Sequence, residues 1–192
     1  MRTIGKCLIL GVVVFGLAAG ATAKPDKKAP ASKVVKVTIE TNLGTIQGEL
    51  DPAIAPKTVE NFVTLAKKGY YDGTLFHRVV PGFVIQGGDP LTKDKAKKAR
   101  WGSGDPGYKF ADEPVKGEYV RGAFAMANSG PDTNGSQFFI CVADLSSRLP
   151  KKYNLFGKVT KGMDVVDKIV ASDRDGRDCP KADVVMKKVT VN

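Results

Sequence analysis

Histidine and tryptophan each occur once in these 192 residues, as His77 and Trp101, and cysteine occurs only three times. With one imidazole, and with Cys141 and Cys179 far apart in the chain, no zinc-type ligand spacing exists, so no structural or catalytic metal is expected. The pair Gly87-Gly88 lacks the Lys-Ser/Thr ending of a phosphate loop, which leaves no nucleotide motif and no expected cofactor. Long apolar runs are missing as well: Leu8 to Ala19 falls short of the ~20 residues that a membrane-spanning helix needs. There is no internal repeat. Hydrophobic residues at 42% and charged residues at 26% are globular proportions, which argues against bulk disorder and against a polytopic membrane protein.

What is present begins with a distinctive leader. Arg2 and Lys6 precede the apolar run, and Ala21-Thr22-Ala23 offers small residues at the key positions of a cleavage site. Residues 1–23 therefore read as an export signal, with a mature chain starting at Lys24 and no stable membrane insertion after cleavage. In a Gram-negative envelope the destination would be the periplasm. Loss of Arg2 and Lys6 lowers the formal charge from +10 to +8. Residues 24–33, KPDKKAPASK, read as a flexible tether. The excess of Lys is concentrated there and in 93–100, KDKAKKAR, which reads as a basic surface loop. That loop has no aromatic residues interleaved with its charges apart from the neighbouring Trp101, so nucleic acid is not the expected partner.

Residues 34–192 form one domain in this reading, a length suited to a single core. Val35, Val37 and Ile39 alternate with polar residues, as do Ile46, Gly48 and Leu50 after Asn42-Leu43-Gly44, which predicts a hairpin with one wet face. Pro56 opens a helical pattern with Val59, Phe62, Val63 and Ala66 on one stripe, stopped by Lys67-Lys68-Gly69. A second helix is predicted from Met163 to about Ala171. Short apolar strands lie between and after these helices, around 75–80, 83–87, 119–127, 136–143, 154–160 and 184–191. Many short strands with Gly-rich turns and two helices predict a mainly β fold, an antiparallel barrel closed by helices.

Two segments stand apart from ordinary strand sequence: residues 76–89, FHRVVPGFVIQGGD, and residues 124–140, FAMANSGPDTNGSQFFI. Side chains two apart share a strand face. That parity sets Arg78 opposite His77, pairs Val84 with Gln86, and separates Gln137, Phe139 and Cys141 from Phe138, Ile140 and Val142. A surface combining Arg78, Gln86, Gln137 and Phe139 has a fixed cation, two amides and an aromatic wall, but no nucleophile. His77 reads as a satisfied structural histidine and Trp101 as a loop anchor. Cys141, in an apolar strand, reads as a buried free thiol.

Both segments, together with LFGKV at 155–159 and the helix bearing Asn61-Phe62, resemble the signature segments of cyclophilins, from about Val34 to the C-terminus. The resemblance implies a closed eight-stranded antiparallel β-barrel capped by two α-helices. It also implies peptidyl-prolyl cis-trans isomerase activity on proline-containing polypeptides, here unfolded exported proteins, by a monomer without cofactor or metal. Arg78 would be the catalytic donor to the prolyl nitrogen. Phe83, Val84, Phe139 and Leu149 would form the proline pocket, Gln86 and Asn128 would hold substrate backbone, Gln137 would orient the arginine, and Ala127 would leave room for the chain. The family's pocket histidine is replaced by Tyr153 and its indole by Arg148, which implies retained isomerase activity and weakened cyclosporin binding.

Overall fold

The computed structural model describes residues 33–192, so the leader, its cleavage site and all but the last residue of the tether lie outside the described residues. Strands β1 (Val35–Thr41) and β2 (Gly44–Leu50) form the predicted hairpin, in register from Val35 opposite Leu50 to Thr41 opposite Gly44. They are followed by helix α1 (Pro56–Lys67), β3 (Phe76–Val80), β4 (Val84–Gly87), β5 (Ala123–Met126), β6 (Phe138–Cys141), β7 (Leu155–Lys161), α2 (Met163–Val170) and β8 (Met186–Val191). The strands make one antiparallel sheet in the order β3-β4-β6-β5-β7-β2-β1-β8.

The expected closed barrel is corrected to a curled half-barrel. Strands β3 and β8 are the two ends of the sheet and share no ladder. They meet through the single bridge Leu75–Val185 and the backbone bonds Phe76 N–H to Val184 O (2.9 Å), Met186 N–H to Thr74 O (2.8 Å) and Gly73 N–H to Met186 O (2.8 Å). Turn residues run up to Gly73, and the chain lying beside β8 is the short stretch 73–76.

Strand parity sorts the core into two layers. On one face Phe124, Met126, Phe138, Ile140 and Ile85 pack with Val59, Phe62, Leu65 and Ala66 of α1 and Val165, Val166 and Ile169 of α2. Each such large apolar side chain contributes about 1.5–3 kcal/mol on burial. On the other face Val84, Ala125, Phe139 and Cys141 pack under Tyr119, Leu145, Leu149 and Leu155. The centre of the sheet is therefore buried on both sides, and the second layer stops where the functional groups begin.

Helix α1 starts at Pro56 without a capping side chain at Ala55. The exposed N–H groups of its first turn are met from outside the helix: Glu113 accepts from the Lys57 N–H (3.1 Å), the Thr58 N–H (2.8 Å) and the Thr58 hydroxyl (2.7 Å). Buried Asn154 locks this cap, donating to Thr58 Oγ1 while its Oδ1 accepts from the Glu113 N–H, each at 2.9 Å. A carboxylate at a helix N-terminus satisfies orphan donors and favours the dipole. Glu113→Ala is accordingly expected to remove about 1–2 kcal/mol, seen by calorimetry as a Tm lower by about 2–8 °C.

The predicted basic surface loop is instead two short 3-10 turns, Pro90–Lys93 and Lys95–Arg100. Each is started by an aspartate: Asp89 Oδ1 accepts from the Leu91 N–H (2.7 Å) and Asp94 Oδ1 from the Ala96 N–H (2.9 Å). Trp101 closes the second turn, its indole N–H shared between the Leu91 and Asp94 carbonyls at 3.1 and 3.2 Å.

Candidate active site

The site lies on the outer face of β3, β4, β5 and β6, beside the second layer of the core. Phe83, Val84, Phe139, Leu149 and Tyr153 line one cavity of about 130 Å³, together with Arg78, Gln86, Ala127 and Asn128. Phe139 meets Tyr153 edge to face, with ring centroids 5.6 Å apart. Gln137, the remaining residue singled out in the sequence, lines an adjoining polar cavity that shares Gln86, Ala127 and Asn128. All ten predicted site residues are thus brought to one groove.

How they are connected differs from the expectation in one respect. Arg78 Nη1 donates to Gln86 Oε1 (3.3 Å), Gln86 Nε2 donates to Gln137 Oε1 (3.0 Å), and Gln137 Nε2 donates to the Gly102 and Gly104 carbonyls (3.0 and 2.8 Å). Gln86 is therefore the group that touches the arginine, and Gln137 acts on it through Gln86. Asn128 is likewise tied to the protein, its amide donating to the Lys152 carbonyl at 2.8 Å, next to Tyr153. Tyr153 is held a second time, its carbonyl accepting from the Tyr119 hydroxyl (2.7 Å) and its N–H donating to that same oxygen (3.1 Å).

The residue that anchors this chain of amides escaped the sequence reading. Asp89 is fully buried, and besides the Leu91 N–H its carboxylate accepts from the Gly102 N–H (2.5 Å) and the Gly104 N–H (3.2 Å). It fixes the two carbonyls that hold Gln137. A Cβ at position 104 would overlap Asp89 Oδ1, so glycine is required for this approach. The available signal was Asp89-Pro90, a helix-start pair at the end of the first motif.

His77 departs from the reading twice. Phe76 pairs with Gly87 and Arg78 with Gln86, so His77 is the extra residue of a β-bulge. The bulge breaks strict alternation and lets His77 and Arg78 line a common cavity. His77 is buried, as expected, but beyond the Leu75 backbone neither ring nitrogen has a hydrogen-bond partner among the described residues. Burial depresses its pKa below the usual value, with the Asp89 carboxylate and the Leu75 backbone opposing and Arg78 assisting. The unfolded chain then takes up the proton first, so stability is present above about pH 6.5 and is lost as pH falls from there toward the folded value. Urea midpoints at pH 7.5 and 5.5 should differ for wild type, and His77→Gln should shrink that difference.

No activated nucleophile stands in the groove. Cys141 and Cys179 are free and buried, and burial pushes the Cys141 thiol up to about 12 and raises Cys179. Desolvation likewise takes the Tyr119 hydroxyl up to about 12. Among the described residues no cluster of three or more His, Cys, Asp or Glu side chains is placed to hold a metal ion. Arg148 is exposed and donates to the Gly82 carbonyl at 3.1 Å.

Known proteins resemble the whole described domain. The family described as "Cyclophilin type peptidyl-prolyl cis-trans isomerase/CLD" matches residues 36–191. Peptidyl-prolyl cis-trans isomerase CYP18-1 of Arabidopsis thaliana is 44% identical over 161 residues, covering 82% of this chain and 96% of the relative. Peptidyl-prolyl cis-trans isomerase B of Streptomyces anulatus is 45% identical over 174 residues, 80% of this chain and 94% of the relative. Against peptidyl-prolyl cis-trans isomerase-like 2 of Cryptococcus neoformans the identity is also 45%, but the chain spans only 29% of that protein's length. A crystal structure of a cyclophilin-type isomerase from Cryptosporidium parvum superimposes with a TM-score of 0.75 at 34% identity, covering 83% of this chain and 98% of that one. The same protein in the presence of the dipeptide Ala-Pro gives a TM-score of 0.74. With the half-barrel, the two motifs and the family match over residues 36–191 in agreement, the chain belongs to the cyclophilin-type peptidyl-prolyl cis-trans isomerase family.

Proposed function

We propose that this protein accelerates rotation about X–Pro peptide bonds in exported polypeptides, with Arg78 as the catalytic residue. The observation that carries the reading is the cavity of about 130 Å³ in which an apolar wall of Phe83, Val84, Phe139 and Leu149 faces a held guanidinium. A cavity of about 150 Å³ takes up benzene, so this one has the volume for a five-membered prolyl ring. Amide resonance opposes rotation with a barrier of about 18–20 kcal/mol, and X–Pro bonds isomerise unaided over tens to hundreds of seconds. The reaction breaks no covalent bond, which suits a groove without a nucleophile.

As the bond twists, the lone pair of the prolyl nitrogen leaves conjugation and becomes a hydrogen-bond acceptor. A guanidinium beside it favours the twisted state over either planar one, and only such a preference accelerates the step. Each tenfold of rate needs about 1.4 kcal/mol. Arginine stays charged throughout the working pH range. The relay through Gln86, Gln137 and the Asp89-anchored glycines keeps the donor in place, so little reorganisation is left for the reaction itself.

The export signal at 1–23 supports unfolded secreted chains as clients, encountered by a monomer outside the cytoplasm. Cyclosporin binding is weak in this reading, since Arg148 stands where the family has its indole. The reading is tested by exchange NMR on an X–Pro peptide with and without the enzyme, and by N-terminal sequencing of the secreted form. Accelerated exchange and a first residue of Lys24 are expected. Binding of the peptide without acceleration, or recovery of intact Met1 from the cytoplasm, would contradict it.

A further inference from the structure

Behind Arg78 lies a further cavity, of about 280 Å³, with walls from three parts of the chain. The β3 bulge supplies His77 and Arg78, the second 3-10 turn supplies Lys98 and Trp101, and the connection between α2 and β8 supplies Arg177. Arg78 and Gln86 belong to this cavity and to the one lined by Phe83 and Phe139 alike, so the two share a wall. Its lining includes three cationic side chains and no carboxylate. The counter-charges lie outside the lining: Asp89 acts on His77 and Asp183 on Cys179, while Asp175 is 3.6 Å from Lys98 Nζ. The other oxygen of Asp175 is occupied by the N–H groups of Arg177 and Cys179. The Lys98 and Asp175 side chains are 43% and 31% exposed, a pair that neutralises little in water.

His77, only 6% exposed, lines the same space, and beyond the Leu75 backbone its ring nitrogens have no hydrogen-bond partner among the described residues. Buried polar groups are nearly always paired. Three cations exclude a metal ion as the missing partner and favour an anion. The walls are also pre-formed, because Trp101 is pinned by its indole hydrogen bonds and Lys98 Nζ sits 5.7 Å from that ring's centroid.

We propose that this cavity is an anion subsite of the substrate groove, taking the carboxylate of a Glu or Asp side chain that flanks the X–Pro bond. The proposal rests on the isomerase reading and adds a sequence preference to it. An extended chain advances about 3.3–3.6 Å per residue, so a side chain within a few positions of the proline can reach across the shared wall.

The test uses paired X–Pro peptides carrying Glu or Gln at each position from about three before to about three after the proline. Turnover is compared for wild type and the Lys98→Gln/Arg177→Gln double variant. At one or more positions the Glu peptide should be favoured about two- to tenfold in kcat/KM, the scale of a partly exposed charge pair. That preference should fade with salt and vanish in the double variant, while Gln peptides keep their wild-type rate. Equal turnover of Glu and Gln peptides at every position, or an unchanged preference in the double variant, would overturn the proposal.

Trp101, the only tryptophan in the chain, reports binding separately through its fluorescence. If no peptide is turned over, the isomerase reading fails, and a Glu-over-Gln difference in this titration still decides the subsite. Quenching by inorganic phosphate, with no discrimination between the paired peptides, would assign the cavity to a free anion and overturn the substrate role.

Discussion

Phe138→Ala is expected to destabilise the domain by about 3–5 kcal/mol, as truncation of a fully buried phenylalanine does. The residue is completely inaccessible, and its ring meets Phe62 of α1 at 5.4 Å, Tyr71 at 5.7 Å, and Phe76 and Phe124 at 6.1 Å each. Three of these contacts are edge-on, a geometry worth about 0.5–1.5 kcal/mol beyond area burial. Removing one ring therefore opens a void between α1, β3 and β5 that no neighbour fills without leaving its own contacts. With m-values growing with surface exposed, a urea titration should show a lower midpoint at an unchanged slope. The contrast with the next residue is diagnostic. Phe139 faces the opposite layer, against Tyr153 and the candidate proline cavity, so Phe139→Ala should act on peptide turnover as well as on stability.

The second large effect is on rate. Arg78→Ala should lower kcat by about 10²–10³, the range seen when one preorganised donor to a transition state is removed. Peptide binding should change far less, because the apolar wall of Phe83, Val84, Phe139 and Leu149 remains. Arg78→Lys should recover only part of the loss. An ammonium keeps the charge but lacks the planar fork that bonds Gln86 while leaving other N–H groups for the prolyl nitrogen. A loss confined to KM would mean that Arg78 serves ground-state binding, contrary to the mechanism proposed.

Much of the architecture was legible because it is written in short periods. The stripe Val59, Phe62, Val63 and Ala66 located α1, although Val63 is only partly buried, the pattern from Met163 to about Ala171 located α2, and alternation through 138–141 separated Phe138 and Ile140 from Phe139 and Cys141. What was not legible depends on partners far away in the chain or on one irregular residue. The cap on α1 comes from Glu113, 55 residues beyond Thr58, and nothing local announces it. Strict parity misplaced His77 because a single bulge residue resets the alternation. Closure failed for a related reason: whether two sheet ends form a ladder depends on a few residues at 73–76 and 184–186, not on any pattern within the strands. The order of the Arg78–Gln86–Gln137 relay also required side-chain positions, since faces alone place all three residues together without saying which touches which.

The most direct measurement is exchange NMR of one X–Pro peptide, at matched concentrations of wild type and Arg78→Ala, with peptide affinity measured on the same samples. The proposed mechanism predicts rapid cis-trans exchange with wild type, a catalysed rate lower by about 10²–10³ in the variant, and affinities within a few-fold of one another. Equal exchange rates in the two proteins would contradict it.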